Sequence, residues 1–177
     1  MRFTELEIAG VYLIEVDPQP DERGFFARTF CVREFEERGL ITTIAQCSTS
    51  FNARRGTLRG LHYQVSPHEE AKVVRCTSGA IVDVVVDVRP SSPTFGKWRS
   101  AELSAVNRRM LYVPPGVAHG FQTTEDGTEV FYQISTAYVA DASRGLRWDD
   151  PRLAIEWPLP DNRIISQRDS SYPLIGG

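Results

Sequence analysis

A single histidine, His62, lies in the segment GTLRGLHYQ (residues 56–64), which otherwise alternates like a β-strand. Imidazole can accept a proton near neutral pH, bind a metal ion or pack in a core. Two further histidines are His68, in the loop-like VSPHEE, and His119, in GVAHGF. His62 and His68 lack the HxH spacing that places two imidazoles side by side on one strand. We therefore expect neither a metal nor another cofactor, and a cavity suited to proton transfer.

Strand alternation predicts which other side chains share a cavity, because residues i and i+2 face the same side. In GAIVDVVVDVR, Asp83 and Asp87 fall on one face with Ile81 and Val85, and the even-numbered valines, Val82 to Val88, fall on the other. Aspartate is costly to bury without a partner, so the two carboxylates indicate either solvent or a polar lumen. In TEVFYQIS, Tyr132 shares its face with Val130 and Ile134, which is typical of a core tyrosine or a phenol on a cavity wall.

These side chains need a scaffold, and the chain supplies a series of short β-rich runs separated by Gly, Pro and Asp. REFEERGL (residues 33–40) is the one convincing helix before the C-terminal stretch, with Phe35 on its packing side. Strands outnumber crossovers, so we predict an all-β fold of antiparallel sheets closed into a barrel or jelly roll. We expect one domain spanning residues 1–177, with the C-terminal segment wrapped around the barrel.

Composition narrows the class of protein further. The 177 residues carry a formal net charge of −3, which argues against a nucleic-acid partner and favours a discrete small anion. No signal peptide or membrane span is evident, so we expect a cytoplasmic protein with no membrane partner. Cys31, Cys47 and Cys76 have no CxxC spacing, and we interpret them as reduced structural thiols.

Seven motifs together resemble the dTDP-4-dehydrorhamnose 3,5-epimerase family, in the family's order and approximate spacing along nearly the whole chain. The motifs are DERGFF (21–26), GTLRGLHYQ (56–64), AKVVRC (71–76), DVVVDVRPSSPTFGKW (83–98), LSAVNRRMLYVPPGVAHGF (103–121), VFYQIS (130–135) and RWDDPRLAIEWP (147–158). The resemblance implies a metal-free cupin-type jelly roll and a homodimer. It also implies a nucleotide-linked 4-keto-6-deoxyhexose as substrate.

The chemistry of such a sugar explains the catalytic residues that the resemblance implies. A 4-keto group acidifies the hydrogens on C3 and C5, so epimerisation can remove a proton from one face and return one to the other. His62 matches the family's general base, and Asp169, in SQRD, matches its carboxylate partner. Tyr132 matches the proton donor on the opposite face, and Lys72 matches the lysine that stabilises the enolate oxygen.

The resemblance also implies a set of substrate-binding residues. Arg23 and Arg59 would hold the diphosphate, because guanidinium groups suit bidentate contact with phosphate. Alternation places Arg59 opposite His62, so Arg59 needs a neighbouring subunit or a local bend to reach the same ligand. The remaining predicted contacts are Phe26 at the base, Gln46 as a polar contact, His119 near the sugar, Asp83 as an orienting carboxylate, and Tyr138 and Arg168.

Several positions depart from the family pattern. Arg28 stands where glutamate is common, Cys47 and Ser48 replace an Asp-Asn pair, Ala137 replaces one of two adjacent tyrosines, and Arg168 replaces a frequent lysine. These departures leave the nucleotide open, and epimerisation at C3, at C5 or at both. A 3,4-ketoisomerase and a non-catalytic sugar-binding cupin are the competing hypotheses. Retention of a base, an acid and a lysine argues against a mere binder.

Overall fold

A computed structural model describes residues 1–176, over which the chain forms thirteen β-strands and two short α-helices. In chain order the strands are β1 (Arg2–Glu5), β2 (Tyr12–Glu15), β3 (Gln19–Asp21), β4 (Gly24–Phe26), β5 (Gln46–Asn52), β6 (Leu58–Gln64), β7 (Lys72–Ser78), β8 (Ala80–Asp87), β9 (Trp98–Ser104), β10 (Met110–Val113), β11 (Val117–Thr123), β12 (Thr128–Ile134) and β13 (Ser143–Gly145). The helices are α1 (Val32–Glu36) and α2 (Gln167–Ser170), and a 3-10 turn covers Ala140–Ala142.

Two antiparallel sheets form the body of the fold. The six-stranded sheet has the order β1-β2-β10-β7-β12-β5, and the five-stranded sheet has the order β13-β6-β11-β8-β9. Strands β3 and β4 form a separate two-stranded hairpin. The crossed strand order is that of a jelly roll, so the predicted all-β, cupin-type architecture is confirmed.

The main core lies between the two sheets. It contains Val74, Ile81, Leu111, Phe121 and Val130, each at most 1% exposed. Both faces of β8 are buried, because its even-numbered valines pack outward against a second cluster formed with the C-terminal segment. Burying such side chains removes apolar area from water, at roughly 25 cal/mol per Å².

The C-terminal segment wraps the outer face of the five-stranded sheet, as the sequence predicts. Leu153, Trp157 and Ile175 are each at most 7% exposed and pack against Leu58 and Leu61 of β6. The wrap leads into α2, which contacts β6. A segment distant in sequence is thereby brought next to the histidine strand.

Helix α1 confirms the prediction for REFEERGL, although it begins one residue earlier and is only one turn long. Its Phe35 is fully buried in a third cluster with Ile14 and Tyr112. None of the helices between residues 1 and 176 combines the length and apolarity that a bilayer span requires.

Candidate active site

A cavity of about 320 Å³ opens between the two sheets, where β5, β6, β7, β11 and β12 contribute polar side chains. Seven of the residues singled out in the sequence line it: Arg59, His62, Lys72, His119, Tyr132, Tyr138 and Arg168. A small cavity with a few convergent titratable groups is the usual form of an active site.

His62 is paired with the carboxylate that the sequence predicts for it. His62 Nε2 donates to Asp169 Oδ1 at 2.8 Å, and Asp169 Oδ2 accepts from the Gly60 N–H at 3.3 Å. The Asp169 N–H is itself capped by Ser166 Oγ at 3.1 Å, which fixes the start of α2. Burial would raise the pKa of Asp169, but the hydrogen bonds and the His62 charge outweigh it and lower the pKa below its ordinary value.

That hydrogen bond determines which nitrogen of His62 can act as a base. An ionised carboxylate only accepts hydrogen bonds, so Nε2 carries the hydrogen and Nδ1 keeps its lone pair. The His62 side chain is 38% exposed while that of Asp169 is 8% exposed. The imidazole is therefore accessible and its orienting carboxylate is sheltered, as a general base requires.

Tyr172 supports the His62 ring from another side, and the sequence reasoning missed it. The two rings meet edge to face with centroids 5.7 Å apart. Gly145 pairs with His62 across β13 and β6, and a Cβ on Gly145 would come within 2.5 Å of the Tyr172 ring. Glycine at position 145 is the only residue that leaves room for this contact.

A bulge in β6 brings Arg59 to the same side as His62. His119 pairs with His62, but Phe121, two residues on, pairs with Arg59, three residues back. The extra residue lies at Gly60, where a Cβ would come within 2.5 Å of the Gly120 Cα. The local bend anticipated for Arg59 is present, and simple alternation along β6 was wrong.

The bulge also separates Leu58 from His62, although strict alternation over four residues would place both on one face. Leu58 packs outward in the cluster that contains Leu61, whereas His62 and Arg59 line the cavity. Arg59 is oriented by Asn52 on β5, whose Oδ1 accepts from Arg59 Nε at 2.8 Å. Asn52 is 2% exposed, and no motif in the sequence pointed to it.

A second histidine–aspartate pair lies beside the first. His119 Nε2 is 2.8 Å from Asp83 Oδ2, and both residues are buried. Asp83 Oδ1 is buried without a hydrogen-bond partner. Burial raises the pKa of Asp83, although His119 and Lys72 oppose the shift. The choice left open for Asp83 is thus resolved in favour of a polar lumen.

Asp87, on the same face of β8, has a different role. Its carboxylate accepts hydrogen bonds from the side chains of Arg89, Ser92 and Thr94 at 2.6–2.9 Å. Burial would raise the pKa of Asp87, but these donors outweigh it and lower the pKa well below its ordinary value. Asp87 therefore fixes the loop after β8 and does not belong to the cavity.

Tyr132 and Lys72 complete the chemistry of the cavity. Burial, followed by the charge of Asp83, raises the pKa of Tyr132 far above 10, so the phenol holds its proton at any physiological pH. Its ring lies edge to face with His119, at 6.1 Å between centroids. Of the two readings of Tyr132, the phenol on a cavity wall is the one observed. Lys72 Nζ forms an ion pair with Glu70 at 2.8 Å.

The rim of the cavity contains the remaining contacts on this chain. Gln46 Oε1 accepts from the Tyr138 N–H at 2.6 Å, and Tyr138 is 56% exposed. Hydrogen bonds from Arg168 and then Ser143 lower the pKa of the Tyr138 phenol. Arg168 Nη2 also donates to Ser143 Oγ at 3.2 Å. A flat aromatic group and a cation therefore stand together at the entrance.

Two predicted residues lie elsewhere. Arg23 sits in the β3–β4 hairpin and forms an ion pair with Asp21 at 2.5 Å. Phe26 is 74% exposed and borders a different cavity, lined also by Phe25, Arg75 and Arg108. One chain alone does not bring Arg23 and Phe26 to the cavity that holds His62.

Over residues 1–176, no cluster of three or more His, Cys, Asp or Glu side chains has a metal-binding arrangement. The cavity instead combines a base paired with a carboxylate, a protonated phenol and an ammonium group. A jelly roll with these groups in one cavity has the construction of a cupin-type enzyme of acid–base isomerisation.

Comparison with known proteins gives the family. A sequence model of the dTDP-4-dehydrorhamnose 3,5-epimerase family matches residues 5–176, and the chain belongs to this family of isomerases. It is 45% identical over 175 residues to the dTDP-4-dehydrorhamnose 3,5-epimerase of Sinorhizobium fredii, covering 99% of this chain and 90% of that protein.

Solved structures agree. The dTDP-4-dehydrorhamnose 3,5-epimerase of Bacillus anthracis, crystallised with TDP and PPi, is 40% identical, with a TM-score of 0.94 over 98% of each chain. ChmJ, a 3'-monoepimerase from Streptomyces bikiniensis in complex with dTDP-quinovose, is 32% identical, with a TM-score of 0.89 over 96% of this chain and 86% of that one.

Proposed function

We propose that the chain epimerises dTDP-4-keto-6-deoxyglucose at C3 and C5 to give dTDP-4-keto-rhamnose, without a metal or other cofactor. The observation that carries this proposal is the placement of His62, held by Asp169, and the Tyr132 phenol around one cavity. A base and an acid on two elements are what inversion of a carbon next to a ketone requires.

The reaction begins with proton abstraction. His62 Nδ1 removes the hydrogen from C3 or C5, and the electron pair of the C–H bond moves towards the ketone to give an enolate. The Asp169 carboxylate stabilises the imidazolium that forms. The Lys72 ammonium stabilises the negative charge on the enolate oxygen, because a fixed cation in a sheltered site acts strongly on developing charge.

Return of a proton on the other face completes the inversion. Tyr132 donates its phenolic proton to the same carbon, and the enolate collapses back to the ketone. The raised pKa of Tyr132 keeps the phenol protonated until the enolate forms, so that a proton is present on this side of the cavity. Exchange with solvent resets both groups before the second carbon reacts. His119, oriented by Asp83, holds the sugar beside this path.

The diphosphate and base are bound around the entrance. Arg59, fixed by Asn52, and Arg168 provide guanidinium groups for phosphate oxygens. Tyr138 provides an exposed aromatic face, with Gln46 holding its backbone. The TDP and PPi bound by the Bacillus anthracis enzyme support a dTDP-linked substrate.

Arg23 and Phe26 complete the site from the partner subunit of a homodimer. Support comes from the exposed β3–β4 hairpin, where the Arg23 side chain is 84% exposed and Phe26 is 74% exposed. Exposed aromatic and arginine side chains on one projection are typical of an interface.

Mixed dimers test this arrangement. Co-expression of differently tagged His62→Ala and Arg23→Ala chains, followed by tandem purification, gives heterodimers. One of their two sites then has an intact His62 and an intact Arg23 from the other chain. We expect activity well above either homodimer. Activity no higher than the Arg23→Ala homodimer would show that Arg23 acts within its own chain.

The likeness to ChmJ favours a second candidate, epimerisation at C3 alone. One NMR experiment separates these two reactions from epimerisation at C5 alone, from 3,4-ketoisomerisation and from binding without turnover. Proton NMR follows dTDP-4-keto-6-deoxyglucose in D2O with metal-stripped protein. We expect deuterium at both C3 and C5 together with a new sugar configuration. Exchange at one carbon would identify a monoepimerase, and a ketone moved to C3 a ketoisomerase. Absence of exchange would contradict the proposal.

A further inference from the structure

Glu70 is a carboxylate on the cavity wall that the proposed reaction does not use. Its side chain is 9% exposed, and Oε1 lies 2.8 Å from Lys72 Nζ. Its other oxygen, Oε2, accepts from Gln64 Nε2 at 3.1 Å. Because each carboxylate oxygen has its own donor, the group is held in one orientation. A sheltered carboxylate with a partner on each oxygen differs from the exposed ion pairs elsewhere in the molecule, such as Arg23–Asp21.

Lys72 needs such a partner more than most lysines. Its side chain is 11% exposed, and it ends in a compact ammonium on a flexible four-carbon stem. Taking an ammonium out of water is unfavourable unless an opposite charge lies close by. A stem with several rotamers also loses entropy when it is fixed. The ion pair with Glu70 therefore determines which position the ammonium occupies.

Gln64 holds the Glu70 carboxylate in place. It is 3% exposed, and its Nε2 also donates to the His68 carbonyl at 3.0 Å. Its Oε1 accepts from the Val139 N–H at 2.7 Å, next to Tyr138 on the rim. The amide therefore links the Glu70 carboxylate to the segment that carries the exposed aromatic ring. The carboxylate cannot follow the lysine if the lysine moves.

We propose that Glu70 is a positioning residue, which holds the Lys72 ammonium at the point where the enolate oxygen forms. This inference rests on the proposed function, because the enolate exists only if a proton is removed next to the ketone. Glu70 touches neither the sugar nor the base in this scheme. Its effect passes entirely through Lys72, and it therefore acts on the transition state more than on substrate binding.

Glu70→Gln tests the proposal, since it removes the charge and keeps the shape. We expect kcat to fall about 10-fold, with KM and the Kd of dTDP changed less than about 2-fold. Glu70→Asp, which keeps the charge on a shorter side chain, should recover part of the loss. The matched control is Glu69→Gln: Glu69 is exposed and adjacent, and its carboxylate lies outside this network. We expect wild-type activity from it.

A double-mutant cycle separates positioning from a general structural role. In a Lys72→Met background, Glu70→Gln should lower kcat by less than about 2-fold further, because its route of action is already removed. Thermal melting of each variant confirms folding. A Glu70→Gln enzyme with wild-type kcat, or one that loses as much activity in the Lys72→Met background as in the wild type, would overturn the inference.

The wild-type enzyme in the isotope-exchange assay distinguishes failure of the proposed epimerase function from failure of the role assigned to Glu70. If wild-type protein exchanges no deuterium at C3 or C5, the proposed function fails and this inference fails with it. If wild-type protein exchanges both positions and Glu70→Gln is unimpaired, only the assignment of Glu70 fails. A raised KM with unchanged kcat would instead make Glu70 a binding residue, which also contradicts the proposal.

Discussion

Two histidines on adjacent strands of this protein are each paired with an aspartate, through the same ring nitrogen and at the same distance. His62 and His119 face each other across β6 and β11, and each Nε2 lies 2.8 Å from an aspartate oxygen. The distances within the two pairs alone would assign both histidines the same role. Their surroundings differ, and the difference separates a base from an orienting group.

The contrast begins with exposure. The His62 side chain is 38% exposed, whereas that of His119 is 5% exposed. Asp169 accepts from His62 and from a backbone N–H, and its pKa is lowered overall despite burial. Asp83 is fully buried with one unpartnered oxygen, and burial raises its pKa. A carboxylate that stays charged stabilises an imidazolium, and one that resists charge does so poorly.

His62→Ala should produce the largest effect. We expect kcat to fall about 10³–10⁴-fold, the range for loss of a general base. The affinity for dTDP should change less than about 3-fold, because the nucleotide contacts lie on other side chains. Steady-state kinetics and calorimetry with dTDP measure the two quantities. Parallel loss of turnover and nucleotide affinity would count against the base assignment.

Tyr132→Phe sharpens the comparison by removing the acid and leaving both pairs intact. We expect net epimerisation to fall about 10²-fold, while His62 still removes and returns protons on one face. In D2O the variant should therefore place deuterium at C3 and C5 with the original configuration retained. Proton NMR of recovered substrate measures both. Loss of exchange together with epimerisation would place Tyr132 in proton removal instead.

Asn substitutions of the two aspartates compare the pairs directly. Asp169→Asn should lower kcat about 10²-fold, because an amide can present its N–H to His62 and favour the wrong tautomer. Asp83→Asn should lower it about 10-fold or less, since His119 only orients the sugar. Kinetics on folded, matched preparations measure the ratio. A larger loss from Asp83→Asn would reverse the assignment of the two pairs.

The smallest expected effect is on the pH dependence of folding stability. The contributions of the Asp169 and Asp83 carboxyl groups change in opposite directions with pH. The lowered pKa of Asp169 contributes stability above the unfolded value near 3.9, and this contribution is lost as pH falls through the folded pKa. The raised pKa of Asp83 contributes stability that is complete below about 3.9 and is lost as pH rises towards the folded pKa.

Melting temperatures from pH 3 to pH 8 therefore diverge in a defined way. As the solution is acidified, the Tm advantage of wild type over Asp169→Asn should shrink, and its Tm relative to Asp83→Asn should rise. Each change should be of the order of a few degrees. Equal pH dependence for the two variants would show that burial does not separate the pairs.

Much of the scaffold follows from patterns along the chain. Alternation in β8 correctly grouped Asp83 with Ile81 and Val85, because that strand is regular and buried on both faces. The Pro- and Trp-rich C-terminal segment was expected to return to the barrel, and it brings Asp169 to His62. The pairing of these two residues could be named from family motifs, although their roles remain predictions.

Alternation failed where a single residue was inserted. In β6 the bulge reversed the faces of Leu58 and Arg59, since period-two reasoning counts residues and cannot see an unpaired one. Tyr172 and Glu70 were missed for another reason. Their positions depend on tertiary packing against His62 and Lys72, and no short motif reports it.

Deuterium wash-in by a matched pair of variants, His62→Asn and His119→Asn, tests the central claim most directly. Each is mixed with saturating dTDP-4-keto-6-deoxyglucose in D2O, and proton NMR follows C3 and C5. The account predicts no exchange above buffer from His62→Asn, and slowed but clear exchange at both carbons from His119→Asn. Exchange retained by His62→Asn and abolished in His119→Asn would contradict it, and would make the buried pair the base.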